Sequence, residues 1–247
     1  EESLKNSFAR DITLMKQVGI NVAVVHGGGP QIDKELEKSN IKRNFIDGIR
    51  VTDKETIEIV SNTLDGIINK EIVDLINKNG GNSIGVAKDK KGTISVEKLT
   101  TENIDYGYVG EVVNVDSNYL YELMNSNYIP VIAPLGYDSS GQIYNINADT
   151  AASQIASHLS AEKLIFLTDT QGVNDDKGNL ISTLNSKEIK NFIESEIIGG
   201  GMLPKINASL EAVSKSVKTA HIIDGRIQHS VLLEIFTIDG IGTLVKK

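Results

Sequence analysis

The sequence predicts an α/β fold, a three-layer αβα sandwich built on a largely parallel central sheet. Three observations predict it. Short, mostly apolar runs at 21–25, 129–133 and 163–167 have the length and unbroken hydrophobicity of strands covered on both faces. Longer segments whose apolar residues recur at helical spacing lie between such runs, and strands that alternate with helices belong to sheets sandwiched by helices. The strands also leave into glycine-bearing or polar loops, as at 26–29 and 169–172, where open α/β sheets bind ligands.

Each element follows in order. Leu4, Phe8, Ile12, Met15 and Val18 lay an apolar stripe on a first helix, which Gly19 ends as a C-terminal cap. After the strand at 21–25, residues 31–38 read as a helix. Thr52-Asp53-Lys54-Glu55 has the capping-box pattern and opens a long helix carrying Ile57, Val60, Leu64, Ile67 and Leu75 until Gly80-Gly81. Residues 83–87, a KDKKG turn at 88–92 and residues 93–99 suggest a β-hairpin. Asp116 caps a helix through Met124, ahead of the strand at 129–133. The turn Asp138-Ser139-Ser140-Gly141 leads to a helix from about Ala148. A strand at 163–167, helices near 187–194 and from about Lys205, and strands at 220–223 and near 243–245 complete the chain. It reads as a single domain, 1–247, with an N-terminal lobe of about 1–140 and a C-terminal lobe of about 141–247, the boundary falling near 137–142.

Composition limits the function. With 247 residues, 40% hydrophobic and 23% charged, the chain can bury a sizeable core. No apolar stretch approaches the roughly 18 residues of a bilayer span, and the opening EESLKNSFARD lacks the plan of a signal peptide. No membrane role is expected. The absence of cysteine excludes disulfides and thiolate metal sites, and it fits a reducing cytoplasm, the expected location. His26, His158, His221 and His229 have no ligand spacing, so no protein-bound metal centre is expected. A net charge of -8 argues against nucleic acid as a partner, and an anionic ligand would need a locally positive site.

HGGGP at 26–30 carries the first chemical signal. Glycines at a strand's carboxyl end let the backbone approach a ligand, and the following helix presents unpaired N–H groups and a positive dipole end. Pro30 suits the first turn, where its missing N–H costs nothing. The loop is read as a cradle for carboxylate or phosphate, with a ligand-free tight turn as the alternative. G-x-G-x-x-G from Gly27 would need glycine at Ile32, and no G-x-x-x-x-G-K-[ST] occurs, so neither nucleotide fingerprint is present. Gly81-Asn82-Ser83-Ile84-Gly85 matches the nucleophile elbow G-x-S-x-G. That elbow has a strand before it and a helix after, the reverse of the context here, and Ser83 is read as an ordinary strand residue.

Three further segments share a chemistry. Asn145-Ile146-Asn147-Ala148-Asp149 sets two amides and a carboxylate at a helix mouth, for a polar ligand or for capping alike. Asp169-Thr170-Gln171-Gly172-Val173 is a second strand-end loop. GGGMLPK at 199–205 delivers Lys205 to a helix start, where the dipole opposes a cation. A phosphate to neutralise is the functional reading, and a solvated lysine is the alternative.

In this order VVHGGGPQI, GIRVTD, YNINADTAA, KLIFLTDTQGV, GGGMLPK and AHIIDGR resemble the amino acid kinase family over essentially the whole chain. GIRVTD with NINAD is similar to the branch acting on N-acetyl-L-glutamate rather than to carbamate, aspartate or uridylate kinases. The resemblance implies a cytoplasmic enzyme of arginine biosynthesis. With ATP as co-substrate and Mg²⁺, it would phosphorylate the side-chain carboxylate of N-acetyl-L-glutamate to an acyl phosphate. A carboxylate with a pKa of about 4.3 needs no general base, so positioning and charge neutralisation remain.

By the same resemblance, the amides of Gly28 and Gly29 hold the acceptor's side-chain end and the phosphoryl group. Arg50 grips a substrate carboxylate, for which a planar fork suits better than lysine. Asn145 bonds the acetylated amino-acid portion, Lys205 stabilises the transition state, and Asp149 orients lysine ammonium groups. Asp169, Gly172, Val173 and Asn174, with Ile197 and Gly199, border ATP.

The family opens with a strand bearing K-x-G-G, whose lysine meets the phosphates opposite Lys205, and this sequence begins just after it. The expectation is that such residues precede Glu1 and that a chain beginning at Glu1 is nearly inactive. His221, Glu234 and Gly240, with GIGT, match positions that bind L-arginine in the feedback-inhibited branch; ordinary strand-end and helix residues are the alternative. A homodimer or higher homo-oligomer is expected, with FARDITLMKQVG and the helix after Thr52 as interface or as core. Another kinase of the family and a non-catalytic ligand-sensing domain of the same fold are the rival functions.

Overall fold

The computed structural model describes residues 2–86 and 92–247. They form two units, one within 21–151 and one of 2–20 with 152–247. The chain opens with α1 (Glu2–Gln17), β1 (Val24–Val25), α2 (Gly29–Lys38) and a short antiparallel pair, β2 (Phe45–Ile46) and β3 (Ile49–Arg50). α3 (Lys54–Ser61) continues through a π-helical segment, Asn62–Asn69, into α4 (Lys70–Lys78). Next come β4 (Ser83–Val86), β5 (Ile94–Thr100), β6 (Asp105–Val115), α5 (Ser117–Asn125), β7 (Ile129–Ile132), β8 (Leu135–Tyr137), β9 (Ile143–Asn145) and α6 (Ala148–His158). β10 (Lys163–Thr168), β11 (Thr183–Asn185), α7 (Ser186–Glu194), α8 (Met202–Lys215), β12 (Thr219–Asp224), α9 (Ser230–Phe236) and β13 (Thr243–Lys246) complete it.

The α/β class and the parallel pairing are borne out. In the unit Asn21–Ala151, β7 lies between β1 and β4, parallel to both. All four residues of β7 are buried, which explains its unbroken apolar run. In the other unit the order is β10-β12-β13-β11, with β10 parallel to β12, β11 parallel to β13, and β13 antiparallel to β12. Its core gathers Phe166, Leu184, Ile189, Ile206 and Ile222.

Several local expectations are corrected. β4 and β5 are not partners in a hairpin: β4 pairs with β7, whereas β5 joins a closed barrel, β5-β6-β9-β8. Ala87 and the predicted turn, apart from Gly92, lie outside the described residues. The helix after Thr52 is capped one residue later than expected. The Asp53 carboxylate accepts from Thr56 N–H at 2.8 Å, a bond that holds its pKa below the usual carboxylate range. Thr52 is instead stitched into the barrel by backbone bonds to Tyr106 and Tyr108.

The apolar stripe of that helix also slips by one position. Leu64 is buried, but beyond it Ile68 and Ile76 are buried while Ile67 is 49% exposed. The wider turns of the π-helical segment place an extra residue in the helix and displace the stripe that regular spacing predicts. α8 likewise starts at Met202 rather than Lys205.

Candidate active site

The glycine loop joins β1 to α2. Gly28 is the N-cap of α2 and makes no side-chain cap hydrogen bond, and Pro30 sits in the first turn as expected. Gly28 packs closely: a Cβ there would overlap Ile68 Cδ1 and lie 2.8 Å from Leu64 Cδ2. Gly29 is exposed, and a Cβ on it would meet no atom within 4 Å. Gly27 lies against the start of α6, its Cβ position 3.6 Å from Ala148 Cβ.

Arg50, at the end of β3, is buried. Its Nη2 lies 2.7 Å from Asp33 Oδ1 and 3.5 Å from the Gly29 carbonyl oxygen, and the Phe45 ring stacks at 4.5 Å from its Cζ. Nη1 is buried with no hydrogen-bond partner. A buried unpaired donor costs about 1–3 kcal/mol, a cost that a bound carboxylate would remove. Thr52 Oγ1 donates to the Arg50 carbonyl at 2.8 Å, and Asn145 Nδ2 donates to Thr52 Oγ1 at 3.4 Å. GIRVTD and NINAD, remote in sequence, therefore meet through Thr52. At the start of α6 the Asn147 carboxamide caps the helix through Thr150 N–H at 3.0 Å, leaving the cap role to Asn147 rather than to Asp149 in the first turn. Asp33, Phe45 and Thr52 were not read as site residues. Only tertiary contact marks them, apart from the carboxylate that follows the glycine loop within one turn.

In the other unit, the carboxyl ends of parallel β10 and β12 lie side by side, Thr168 opposite Asp224. Asp169 extends exposed from this edge, the edge at which such sheets bind ligands. Arg226 was also missed in the sequence: it forks onto Asp224 at 2.9 and 2.8 Å, and those bonds hold the Asp224 carboxyl below the usual range. Lys205, in the first turns of α8, is half-buried with its Nζ 5.8 Å from the centroid of the Phe166 ring of β10. Asn174 and Gly199 are exposed and Ile197 is half-buried. Gly172 and Val173 belong to the framework. The Val173 side chain is in the core, its N–H donates to Thr243 Oγ1 at 2.8 Å and its carbonyl accepts from Ile181 N–H at 2.8 Å.

His221, Glu234 and Gly240 converge. His221 Nδ1 is 2.6 Å from Glu234 Oε1, Ile241 N–H donates to Glu234 Oε2 at 2.7 Å, and a Cβ on Gly240 would lie 2.8 Å from that oxygen. Burial pushes the Glu234 pKa up, but the His221 bond, the Ile241 and Gly242 amides and the His221 charge together hold it below the ordinary value. Ser83 is a strand residue, as read: its Oγ donates to the Val73 carbonyl at 3.0 Å. Among the described residues no group of three or more histidines and acidic side chains is placed to hold a metal ion, and no helix is long and apolar enough to cross a membrane.

Comparison with known proteins supplies the family. Residues 1–224 match the model of the amino acid kinase family. The chain belongs to the amino acid kinase family. The acetylglutamate kinase of Vesicomyosocius okutanii is 52% identical over 253 residues, covering 99% of this chain and 82% of that protein. The acetylglutamate kinase of Campylobacter curvus is 51% identical over 246 residues, covering 100% and 87%. Among solved structures, N-acetylglutamate synthase from Neisseria gonorrhoeae, complexed with coenzyme A and N-acetyl-glutamate, has a TM-score of 0.90 at 24% identity, over 100% of this chain and 57% of that one. Giardia carbamate kinase has a TM-score of 0.67 at 16% identity, over 98% and 89%. These two likenesses show the amino acid kinase fold. Membership and the close kinase relatives make this amino acid kinase a phosphotransferase enzyme, with ATP the phosphate donor its family implies.

Proposed function

We propose that the chain phosphorylates the side-chain carboxylate of N-acetyl-L-glutamate from ATP, giving N-acetyl-L-glutamyl 5-phosphate for arginine biosynthesis in the cytoplasm. The observation that carries this reading is Arg50: buried, stacked, half-satisfied by Asp33, and linked through Thr52 to Asn145. A rigid fork with a spare donor is what an amino-acid carboxylate requires. The Gly28 and Gly29 amides would take the other end of the acceptor. Asp169, Asn174, Ile197 and Gly199 would border the nucleotide, with Gly172 and Val173 as its framework, and Asp149 would orient lysine ammonium groups. Lys205 would neutralise the charge that develops on the transferring group. Mg²⁺ keeps most of its water and binds phosphates rather than an all-protein cage, so it would arrive with the nucleotide.

L-arginine is the effector we assign to this enzyme, in a homodimer or higher homo-oligomer. The support is the convergence of His221, Glu234 and Gly240, together with the Neisseria gonorrhoeae synthase, complexed with L-arginine in a structure of TM-score 0.84 and 23% identity. Trapping the acyl phosphate with hydroxylamine, in the natural full-length protein, tests the reaction, offering N-acetylglutamate, glutamate, aspartate or carbamate as acceptor. Product with N-acetylglutamate is expected, and product with another acceptor alone overturns the assignment. Turnover unmoved by millimolar arginine removes the effector.

A further inference from the structure

Behind the glycine loop lies a buried polar pair that the reaction as described leaves unused. His26 is 8% exposed and Asn69 3%. Their bonds fix a single protonation pattern. The Val131 carbonyl only accepts, and it lies 2.9 Å from Asn69 Nδ2. A flipped amide would set oxygen against oxygen, so the NH₂ group faces that carbonyl. The same NH₂ lies 3.1 Å from His26 Nε2, which is therefore the accepting, unprotonated nitrogen. The proton remains on Nδ1, which donates to the Gly27 carbonyl at 3.0 Å. Burial holds the His26 pKa below the ordinary histidine value, in keeping with a neutral ring.

That bond orients the next amide. The peptide between Gly27 and Gly28 is trans, and a trans peptide points its C=O and N–H in opposite directions. A Gly27 carbonyl held on the buried ring therefore turns the Gly28 N–H away from it. Asn69 ends the π-helical segment, and Gly85 of β4 makes room for it, since a Cβ there would collide with Asn69 Oδ1. The π-helical turns thus supply both supports of the loop: Leu64 and Ile68 against Gly28, and Asn69 against His26.

We propose that His26 and Asn69 are positioning residues, which through a neutral Nδ1–H imidazole aim the Gly28 N–H at the transferring phosphoryl group. The proposal rests on the reading of Gly28 as a phosphoryl-binding amide.

Three replacements test it, because asparagine and glutamine imitate different ring nitrogens. His26→Asn carries its amide where Nδ1 stood and keeps the bond to Gly27; His26→Gln carries it to the place of Nε2 and loses that bond, as does His26→Leu. Removing one transition-state donor outright costs about 10²–10³-fold in kcat, so misaiming it is expected to cost about tenfold or more in the Gln and Leu variants. His26→Asn is expected to stay within about threefold, with KM for ATP unchanged in all three. If kcat per folded molecule is equal across the series while only the melting temperatures differ, the pair is structural and the proposal falls. A second readout is independent of turnover: ¹⁵N–¹H correlation spectra of the labelled imidazole should show the neutral Nδ1–H form near neutral pH. An Nε2–H form or an imidazolium overturns the proposal. Should N-acetylglutamate prove not to be the acceptor, the proposed reaction fails while the ring tautomer and the variant series, run with whichever acceptor reacts, still decide this point.

Discussion

Two glycine triplets, 27–29 and 199–201, look alike in sequence and are held in opposite ways. Gly28 is pressed against Leu64 and Ile68, whereas a Cβ on Gly199, Gly200 or Gly201 would meet no atom within 4 Å. Gly200 adopts φ 54°, a conformation glycine reaches without steric cost, and all three residues of its triplet are exposed. In the first triplet Gly28 is glycine because protein comes close behind it; in the second Gly200 is glycine because of the backbone path it takes. A braced loop pre-organises amides, and an open one leads the chain into α8 and Lys205. A glycine-rich motif in sequence therefore does not say which of these it is.

The largest effect that sharpens the contrast belongs to Lys205. Lys205→Met keeps chain length and the contact with Phe166 but removes the charge. If the open triplet exists to deliver a cation to the transferring group, kcat falls about 10²–10³-fold with little change in the urea midpoint. A loss in kcat below threefold would leave the open loop without a chemical purpose.

Next in size is Gly28→Ala. Overpacking against Ile68 and Leu64 is expected to destabilise by about 1–3 kcal/mol, with turnover falling as the amide is displaced. Gly199→Ala, in open space and without a positive φ, is expected to change stability by less than about 0.5 kcal/mol. Gly200→Ala lies between, at about 1 kcal/mol for a left-handed alanine. Equal losses at Gly28 and Gly199 in urea denaturation would erase the comparison.

What the sequence revealed follows the same division. Features set by local chemistry were legible: Pro30 after glycines, Gly19 closing α1 at φ 91°, the buried run of β7, and the cation at the start of α8. Features set by distant partners were not. The barrel escaped notice because β6 carries glycines and polar residues in an irregular burial pattern, and its pairing with β5 is interrupted by register shifts. The capping box at Thr52 failed because a backbone ladder to Tyr106 and Tyr108 claimed that residue first. Ile67 and Leu75 were placed in the stripe because regular helical spacing cannot anticipate a π-helical turn. His26 read as one of four unspaced histidines, since its partner Asn69 lies 43 residues away in sequence, and the Val131 carbonyl that orients Asn69 lies 62 residues beyond that.

A third glycine unites both reasons. Gly240 has φ 64° and also leaves room for the Glu234 carboxylate, which His221 and the Ile241 amide hold. The folded-state pKa of Glu234 lies below its unfolded value, so its stabilising contribution is present above the ordinary glutamate range and is lost as pH falls through and below that range. Glu234→Gln can still accept from Ile241 N–H, so its cost at neutral pH is expected to be about 1 kcal/mol or less. The informative quantity is the slope. Between neutral pH and pH 4 the melting temperature of the variant should fall less steeply than that of the parent. Asp11 titrates in the opposite sense, because burial raises its pKa despite His229 at 2.6 Å, but it is common to both proteins and cancels in the difference. Parallel melting curves for parent and variant would mean that Glu234 is not held as an ion in the folded protein, leaving Gly240 with its turn alone to explain it.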